Sequence, residues 1–306
     1  MPANLYTLTW LLPSGNLFLQ TNWATAVLDY KTNVQYNLPD VPLAVRTYPA
    51  SAATAMLPLT PANNWQPTML MCGGSNLRSD QWVTNWNIAA YPADNSCVKI
   101  SPEQDTTWQE EDSLDTGRTM GQFIILPDGR LWMGNGGALG TAGYGNESWA
   151  VGRSYCDRPL HDSWYFDPLA ASGKRWTKAG TSKIDRLYHS AATLLPDGSV
   201  LVSGSNPNPD YVDRSIDPTI TYVTEYRVEK FYPSYYDKTR PEPTGMPKTL
   251  GYGGAYFNVS LPSSTFGSSA DFANTKFVVS RTGFSTHAMN SASFRSSDAS
   301  RPLALC

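Results

Sequence analysis

The chain carries three histidines, His161, His189 and His287. His189 follows Tyr188 in Arg186-Leu-Tyr-His-Ser-Ala, and His287 stands in Gly283-Phe-Ser-Thr-His-Ala-Met-Asn. A neutral imidazole is a good ligand for a transition metal, and a phenolate can join it in a tetragonal nitrogen–oxygen site of the kind copper(II) prefers. Neighbouring residues on a regular strand face opposite sides. Tyr188 and His189 can therefore serve one ion only from an irregular loop. The competing reading is two unrelated histidines, each held by hydrogen bonds in its own loop. His161, in Arg158-Pro-Leu-His-Asp, reads as structural. The four cysteines, Cys72, Cys97, Cys156 and Cys306, show no Cys-x-x-Cys or other zinc spacing, while Cys72 and Cys97 are close enough in sequence for a workable disulfide loop. Asn146-Glu-Ser and Asn258-Val-Ser are glycosylation sequons, usable if the chain is secreted.

A repeat must position these groups. Leu12-Pro-Ser-Gly-Asn-Leu-Phe-Leu, Leu126-Pro-Asp-Gly-Arg-Leu-Trp-Met and Leu195-Pro-Asp-Gly-Ser-Val-Leu-Val share a Pro-x-Gly turn, one spacer and a short apolar strand. Met69-Leu-Met-Cys-Gly-Gly-Ser fits between the first two without the turn. Three of the strands run into small residues, at Cys72-Gly73-Gly74, Gly134-Asn135-Gly136-Gly137 and Ser203-Gly204-Ser205. Such repeats predict kelch-type propeller blades, with small residues where the innermost strands crowd a central channel. A β-sandwich of similar hairpins is the competing architecture. Further strands are predicted at Thr25–Tyr30, Ser163–Pro168 and Thr224–Pro233.

The composition agrees with an all-β chain. There are 23 glycines, 23 prolines, 10 Phe, 17 Tyr and 10 Trp among 306 residues, and only 16% are charged. All-α, coiled-coil and disordered classes are excluded. A net charge of −3 without a basic run speaks against a nucleic-acid surface, and no apolar stretch is long enough for a membrane helix. Near residue 238 a proline-rich segment, Lys-Thr-Arg-Pro-Glu-Pro-Thr-Gly-Met-Pro, divides a propeller part (1–237) from a second domain (238–306). Gly254–Leu261 and Lys276–Arg281 read as opening strands of a sandwich there, and the tail 291–306 reads as foreign to it. About four blade signals do not close a ring, so N-terminal blades are expected to be missing. The start has no secretory leader pattern.

The segment Ile184-Asp-Arg-Leu-Tyr-His-Ser-Ala-Ala-Thr-Leu-Leu-Pro-Asp-Gly-Ser-Val-Leu-Val-Ser-Gly-Ser-Asn-Pro-Asn-Pro resembles the core signature of fungal glyoxal oxidases, copper radical oxidases related to galactose oxidase. Thr60-Pro-Ala-Asn-Asn-Trp, Met71-Cys-Gly-Gly-Ser, Gly140-Thr-Ala-Gly-Tyr-Gly-Asn, Thr224-Glu-Tyr-Arg-Val-Glu and Gly283-Phe-Ser-Thr-His follow in family order. The resemblance implies a seven-bladed propeller, here partial, followed by an immunoglobulin-like domain that sends a loop and its histidine into the channel. It further implies copper held by Tyr188 (axial, and general base), His189 and His287, with Tyr144 in the substrate pocket. Its reaction is oxidation of small aldehydes such as glyoxal or methylglyoxal by O₂, giving acids and hydrogen peroxide. It implies a secreted, glycosylated protein, with a monomer expected.

The family's remaining ligand is a tyrosine joined by a thioether to a cysteine, in contexts that this sequence lacks. Cys72 aligns instead with a later blade cysteine and is expected to pair with Cys97. Activity of this chain alone is therefore doubtful. Asn206 and Asn208 read as turn formers beside the channel. The alternative function is a non-catalytic propeller binding a ligand or carbohydrate.

Overall fold

The three Pro-x-Gly turns close with the same pair of backbone hydrogen bonds. Leu12 N–H donates to Asn16 O and Gly15 N–H to Leu12 O, both at 2.9 Å; Leu126 and Leu195 repeat the pattern with Arg130 and Gly129, and with Ser199 and Gly198. The turn glycines adopt φ of +81° to +89°, which only glycine enters without a steric penalty. In a computed structural model that describes residues 5–77, 86–249, 257–265, 275–282, 285–286, 289–290 and 293–298, each turn joins two antiparallel strands of a small twisted sheet.

Four such sheets stand side by side as propeller blades. The first holds β1 (Leu8–Leu11), β2 (Leu17–Thr21), β3 (Ala24–Asp29) and β4 (Val34–Leu38) in sequence order. The second holds β5 (Ala53–Met56), β6 (Met69–Cys72), β7 (Cys97–Ser101) and β8 (Asp105–Glu111). The third begins with β9 (Gln122–Ile125) and β10 (Leu131–Gly134). A hairpin of β11 (Gly137–Tyr144) and β12 (Ser154–Pro159) then intervenes before β13 (Asp162–Phe166) and β14 (Trp176–Thr181) complete the blade. The fourth holds β15 (Ala191–Leu194), β16 (Val200–Ser203) and β17 (Val228–Phe231).

Side-chain alternation explains why the blades stack. Met69 and Met71 of β6 face the first blade and pack on Leu8, Trp10 and Phe18. Leu70 and Cys72, the alternate residues, face the third blade and pack on Phe123, Ile125 and Met133. The third blade repeats the device: Ile124, Leu126 and Trp132 meet Leu194, Val200 and Val202 of the fourth. Both faces of an inner strand are thus buried, which is why β6, β9 and β10 read as continuous apolar runs.

A second device ties blade to blade. Arg46, Arg118 and Arg186 precede the second, third and fourth blades and are all at most 3% exposed. Each guanidinium donates to the carbonyl of the residue that follows its own blade's second strand: Arg46 to Gly73, Arg118 to Asn135 (2.6 Å), Arg186 to Gly204 (2.8 Å). Forwards along the chain, Gly74 N–H donates to Arg118 O and Gly136 N–H to Arg186 O, both at 2.8 Å. Gly136 has φ +89°, and a Cβ there would sit 2.1 Å from Thr119 O. No side chain fits that joint. Burial lowers the pKa of Arg46 and Arg118 to about 10, leaving both protonated at neutral pH.

The predicted strands are present with shifts. The strand expected at 224–233 shortens to β17, because Thr224 N–H donates to Val212 O and its hydroxyl to Asn206 Oδ1. Described residues 257–261 form only an isolated bridge, Thr244 to Ser260, instead of a strand. β18 (Lys276–Arg281) forms as expected, yet its partner is β21 (Ser293–Asp298), so the tail read as foreign supplies a strand. Between them lie β19 (Ser285–Thr286) and β20 (Met289–Asn290), a short hairpin. β20 pairs parallel with β5 through Met289 and Thr54, and β19 lies against β15. The C-terminal segment therefore returns to the first strands of the blades. An immunoglobulin-like sandwich is not seen among the described residues beyond 238.

Candidate metal centre

The loop entering the fourth blade is built around Arg186. Its Nε and Nη2 hold Glu229 at 3.0 and 2.9 Å, Nη2 also donates to Arg227 O (3.0 Å), and Leu187 N–H donates to Ser205 Oγ (2.9 Å). Asn206 N–H donates to Tyr188 O at 2.7 Å. The chain then turns through His189 at φ +65°, a left-handed conformation that costs a non-glycine residue about 1–2 kcal/mol. β15 begins only at Ala191, so Tyr188 and His189 escape the strand alternation that would separate them. Their rings stack, centroids 3.8 Å apart with planes 24° from parallel.

His189 is oriented from behind. Its Nδ1 lies 2.9 Å from Asn206 O, and a carbonyl can only accept, so Nδ1 carries the proton. Nε2 is left with its lone pair, and it has no hydrogen-bond partner among the described residues. A backbone carbonyl behind a ring nitrogen is the usual way a ligand histidine is aimed and its tautomer fixed. Asn206 is thus more than a turn former: its carbonyl sets the imidazole, while its side chain accepts from Asn208 Nδ2 (3.1 Å) and Thr224 Oγ1 (2.9 Å).

Tyr188 is half-buried. Burial first, then a hydrogen bond to Tyr48, push its phenol well above the ordinary tyrosine pKa, so it is neutral at pH 7 until a cation displaces the proton. Tyr144, exposed at the end of β11, lies 6.3 Å from both the Tyr188 and His189 rings. The structure therefore brings Tyr188, His189 and Tyr144 together. An imidazole with a free Nε2 beside a phenol is a donor set that suits copper(II). Among the described residues no group of three His, Cys, Asp or Glu side chains could hold a metal, so any further ligand must be of another kind or lie elsewhere. His287 lies outside the described residues, as does Cys306.

The other sequence candidates separate from this site. His161 Nε2 pairs with Asp185 Oδ1 at 2.8 Å, on the rim of a cleft between the third and fourth blades. Cys72 and Cys97 form a disulfide with Cα atoms 4.1 Å apart, directly opposite each other on β6 and β7. It is a cross-strand staple rather than a tie across a loop, and it removes Cys72 from any thioether. Cys156 is a free, buried thiol. Asn146 and Asn258 are both exposed. Sequence reasoning missed Arg186, Tyr48 and the carbonyl of Asn206. The first two were legible as a repeat, since Arg46-Thr-Tyr-Pro-Ala-Ser-Ala-Ala-Thr matches Arg186-Leu-Tyr-His-Ser-Ala-Ala-Thr with one insertion.

No helix among the described residues is long and apolar enough to cross a membrane. The fold matches that of a fungal alcohol oxidase, described as having catalytic diversity among the AA5 family and solved in complex with copper. The match has a TM-score of 0.65 and 13% identity, over 97% of this chain and 56% of that one. In sequence the chain is similar to aldehyde oxidase GLOX1 of Arabidopsis thaliana, 33% identical over 82% of this chain and 40% of the relative. It is 32% identical to aldehyde oxidase GLOX of Vitis pseudoreticulata, over 85% of this chain and 47% of the relative. The chain thus spans less than half the length of these curated relatives. The model of the glyoxal oxidase N-terminus matches residues 1–235, and with these relatives it shows that the chain belongs to the glyoxal oxidase-like family.

Proposed function

We propose that the chain carries part of a copper-dependent aldehyde oxidase site, in which Tyr188 and His189 are ligands and His287 supplies a second imidazole. The observation that carries this reading is the stacked pair with His189 Nδ1 tied to Asn206 O, which leaves Nε2 aimed by the backbone of Asn206. Copper, when bound, would supply one-electron redox capacity and hold the Tyr188 phenol ionised. Tyr188 would then accept the proton that leaves the substrate, and Tyr144 would wall the pocket in which a small aldehyde hydrate such as that of methylglyoxal sits. O₂ is the second substrate and hydrogen peroxide the product. The disulfide and the exposed sequons at Asn146 and Asn258 support a secreted protein. Residues 1–237 and 238–306 are proposed as separate domains.

Cys72 is committed to Cys97, so the cysteine-linked tyrosine that completes such an oxidase is not supplied by it. The 306-residue chain is accordingly expected to bind copper weakly, with at least tenfold loss on His189→Ala, and to produce no peroxide from glyoxal or methylglyoxal. A copper titration followed by electron paramagnetic resonance, and an oxygen-consumption assay on the copper-loaded, oxidant-treated chain, check both. Copper affinity indifferent to His189→Ala would sink the ligand assignment. Turnover abolished by Tyr188→Phe would show that the radical partner is supplied within these residues.

A further inference from the structure

We infer that Tyr48 is a positioning residue for Tyr188, fixing where its phenol oxygen stands; its use at a metal rests on the reading above, but its geometry does not. Tyr48 and Tyr188 occupy the same place in their blades. Each follows its buried arginine by two residues, and each arginine is anchored to the carbonyl after its blade's second strand. One device therefore delivers both rings toward a common point. The centroids lie 6.1 Å apart with planes inclined by 33°, and the Tyr48 hydroxyl helps to raise the Tyr188 pKa, as a hydrogen-bonding partner of the neutral phenol would.

The intervening blade sharpens the argument. Its equivalent position, two residues after Arg118, is Met120, and Met120 shares one apolar cluster with Tyr48, Tyr188, Ala142 and Leu187. A methionine can fill that space but offers only a weak acceptor and no donor. The phenol pair is thus a property of the two flanking blades and not of the repeat itself. Tyr48 is in turn braced by Tyr6, edge-on at 5.3 Å and 80°. Tyr188 is flanked by His189, stacked at 3.8 Å, and by Tyr48 at 6.1 Å. A hydroxyl both accepts and donates, so Tyr48 serves the neutral phenol as acceptor and the metal-bound phenolate as donor without adding charge.

The test compares the full chain with Tyr48→Phe, Tyr188→Phe and the double variant, by chemical denaturation without metal and by copper(II) titration. Without metal, the double variant should lose less stability than the two single losses together, because a shared hydrogen bond is removed only once. With copper(II), Tyr48→Phe should keep the phenolate-to-copper absorption band but move it to longer wavelength, since an oxygen without its hydrogen bond is a stronger donor. Affinity should fall about tenfold, the worth of one hydrogen bond to a charged acceptor. Additive losses in the metal-free cycle overturn the inference. A band lost in Tyr48→Phe also overturns it, because Tyr48 would then be a ligand itself. If the unaltered chain shows no band, the metal reading fails alone, and the metal-free cycle still decides whether Tyr48 holds Tyr188. Should Tyr48→Phe not fold, Tyr48→Met, the residue that the middle blade already accommodates, replaces it in the same comparison.

Discussion

The loops that enter the second and fourth blades start alike and end differently. After Tyr48 the chain goes straight inside: Pro49, Ala50 and Ser51 are buried, and Thr119 Oγ1 donates to Ala50 O at 2.7 Å. After Tyr188 the chain surfaces, and His189 is exposed at φ +65°. Their arginines differ in step. Arg46 is wrapped by Gly73 O, Ser96 O (3.0 Å) and Ser96 Oγ (2.8 Å), with Asp94 at 3.7 Å. Arg186 shares itself between two carbonyls and the partly exposed carboxylate of Glu229. The lesson is that scaffold and chemistry are separable here. One repeated device places a phenol, and a single exposed residue after it decides whether the place becomes a candidate site.

That separation has measurable consequences. The largest is expected at the better-wrapped arginine. Arg46→Met should cost about 3–5 kcal/mol in urea denaturation, because buried carbonyls and Asp94 lose their partner, whereas Arg186→Met should cost about 2 kcal/mol. The reverse order would break the comparison. Next comes the disulfide, which only the second blade has at the end of its second strand; the fourth blade carries Ser203 there. Replacing Cys72 and Cys97 together by alanine should cost about 2–4 kcal/mol. A loss under about 1 kcal/mol would mean that strand pairing alone fixes that blade.

A smaller effect is expected at the fourth-blade turn. Asp197 holds Lys230 Nζ at 2.5 Å, Ser199 N–H at 3.0 Å and Ser199 Oγ at 2.5 Å, and these bonds, Lys230 first, depress its pKa well below the usual carboxylate value. A depressed folded pKa means stabilisation that is present above the ordinary carboxylate pKa and lost as pH falls through the folded value. Asp197→Asn should therefore lower stability at neutral pH and leave it nearly unchanged at low pH, which flattens the acid limb of a stability–pH curve; an unaltered acid limb would remove this contribution. Smallest of all, His189→Asn should change stability by no more than about 0.5 kcal/mol, since asparagine tolerates the left-handed region and the position is exposed. Copper binding should nevertheless disappear. A large stability loss would mean that His189 belongs to the scaffold after all.

The turns, the inner strands and the pairing of Tyr188 with His189 were legible because Pro-x-Gly and short apolar runs have local causes. The β11–β12 hairpin was not, since Gly137–Tyr144 carries three glycines and reads as a loop; its strand pairing is imposed by β12 from outside. The buried arginines were missed for a related reason. They sit in loops without apolar periodicity and each is anchored to a backbone carbonyl, which leaves no residue-type signature, so the repeated Arg-x-Tyr of the second and fourth blades was the one signal that could have found them. β21 escaped because Ser293–Asp298 is polar and takes its strand character from β18 alone.

The joint between blades has one further consequence, for how such a chain can arise. A glycine amide reaching forward and an arginine carbonyl reaching back are the two halves of the coupling, and the third blade possesses both. A duplicated stretch of gene encoding that unit would bring its own connector at each end. The apolar faces beside it could then diverge residue by residue, since the coupling makes no demand on them. Lineages can thus lengthen or re-equip the array by copying, and a single histidine acquired in one copy is enough to set it apart from its siblings.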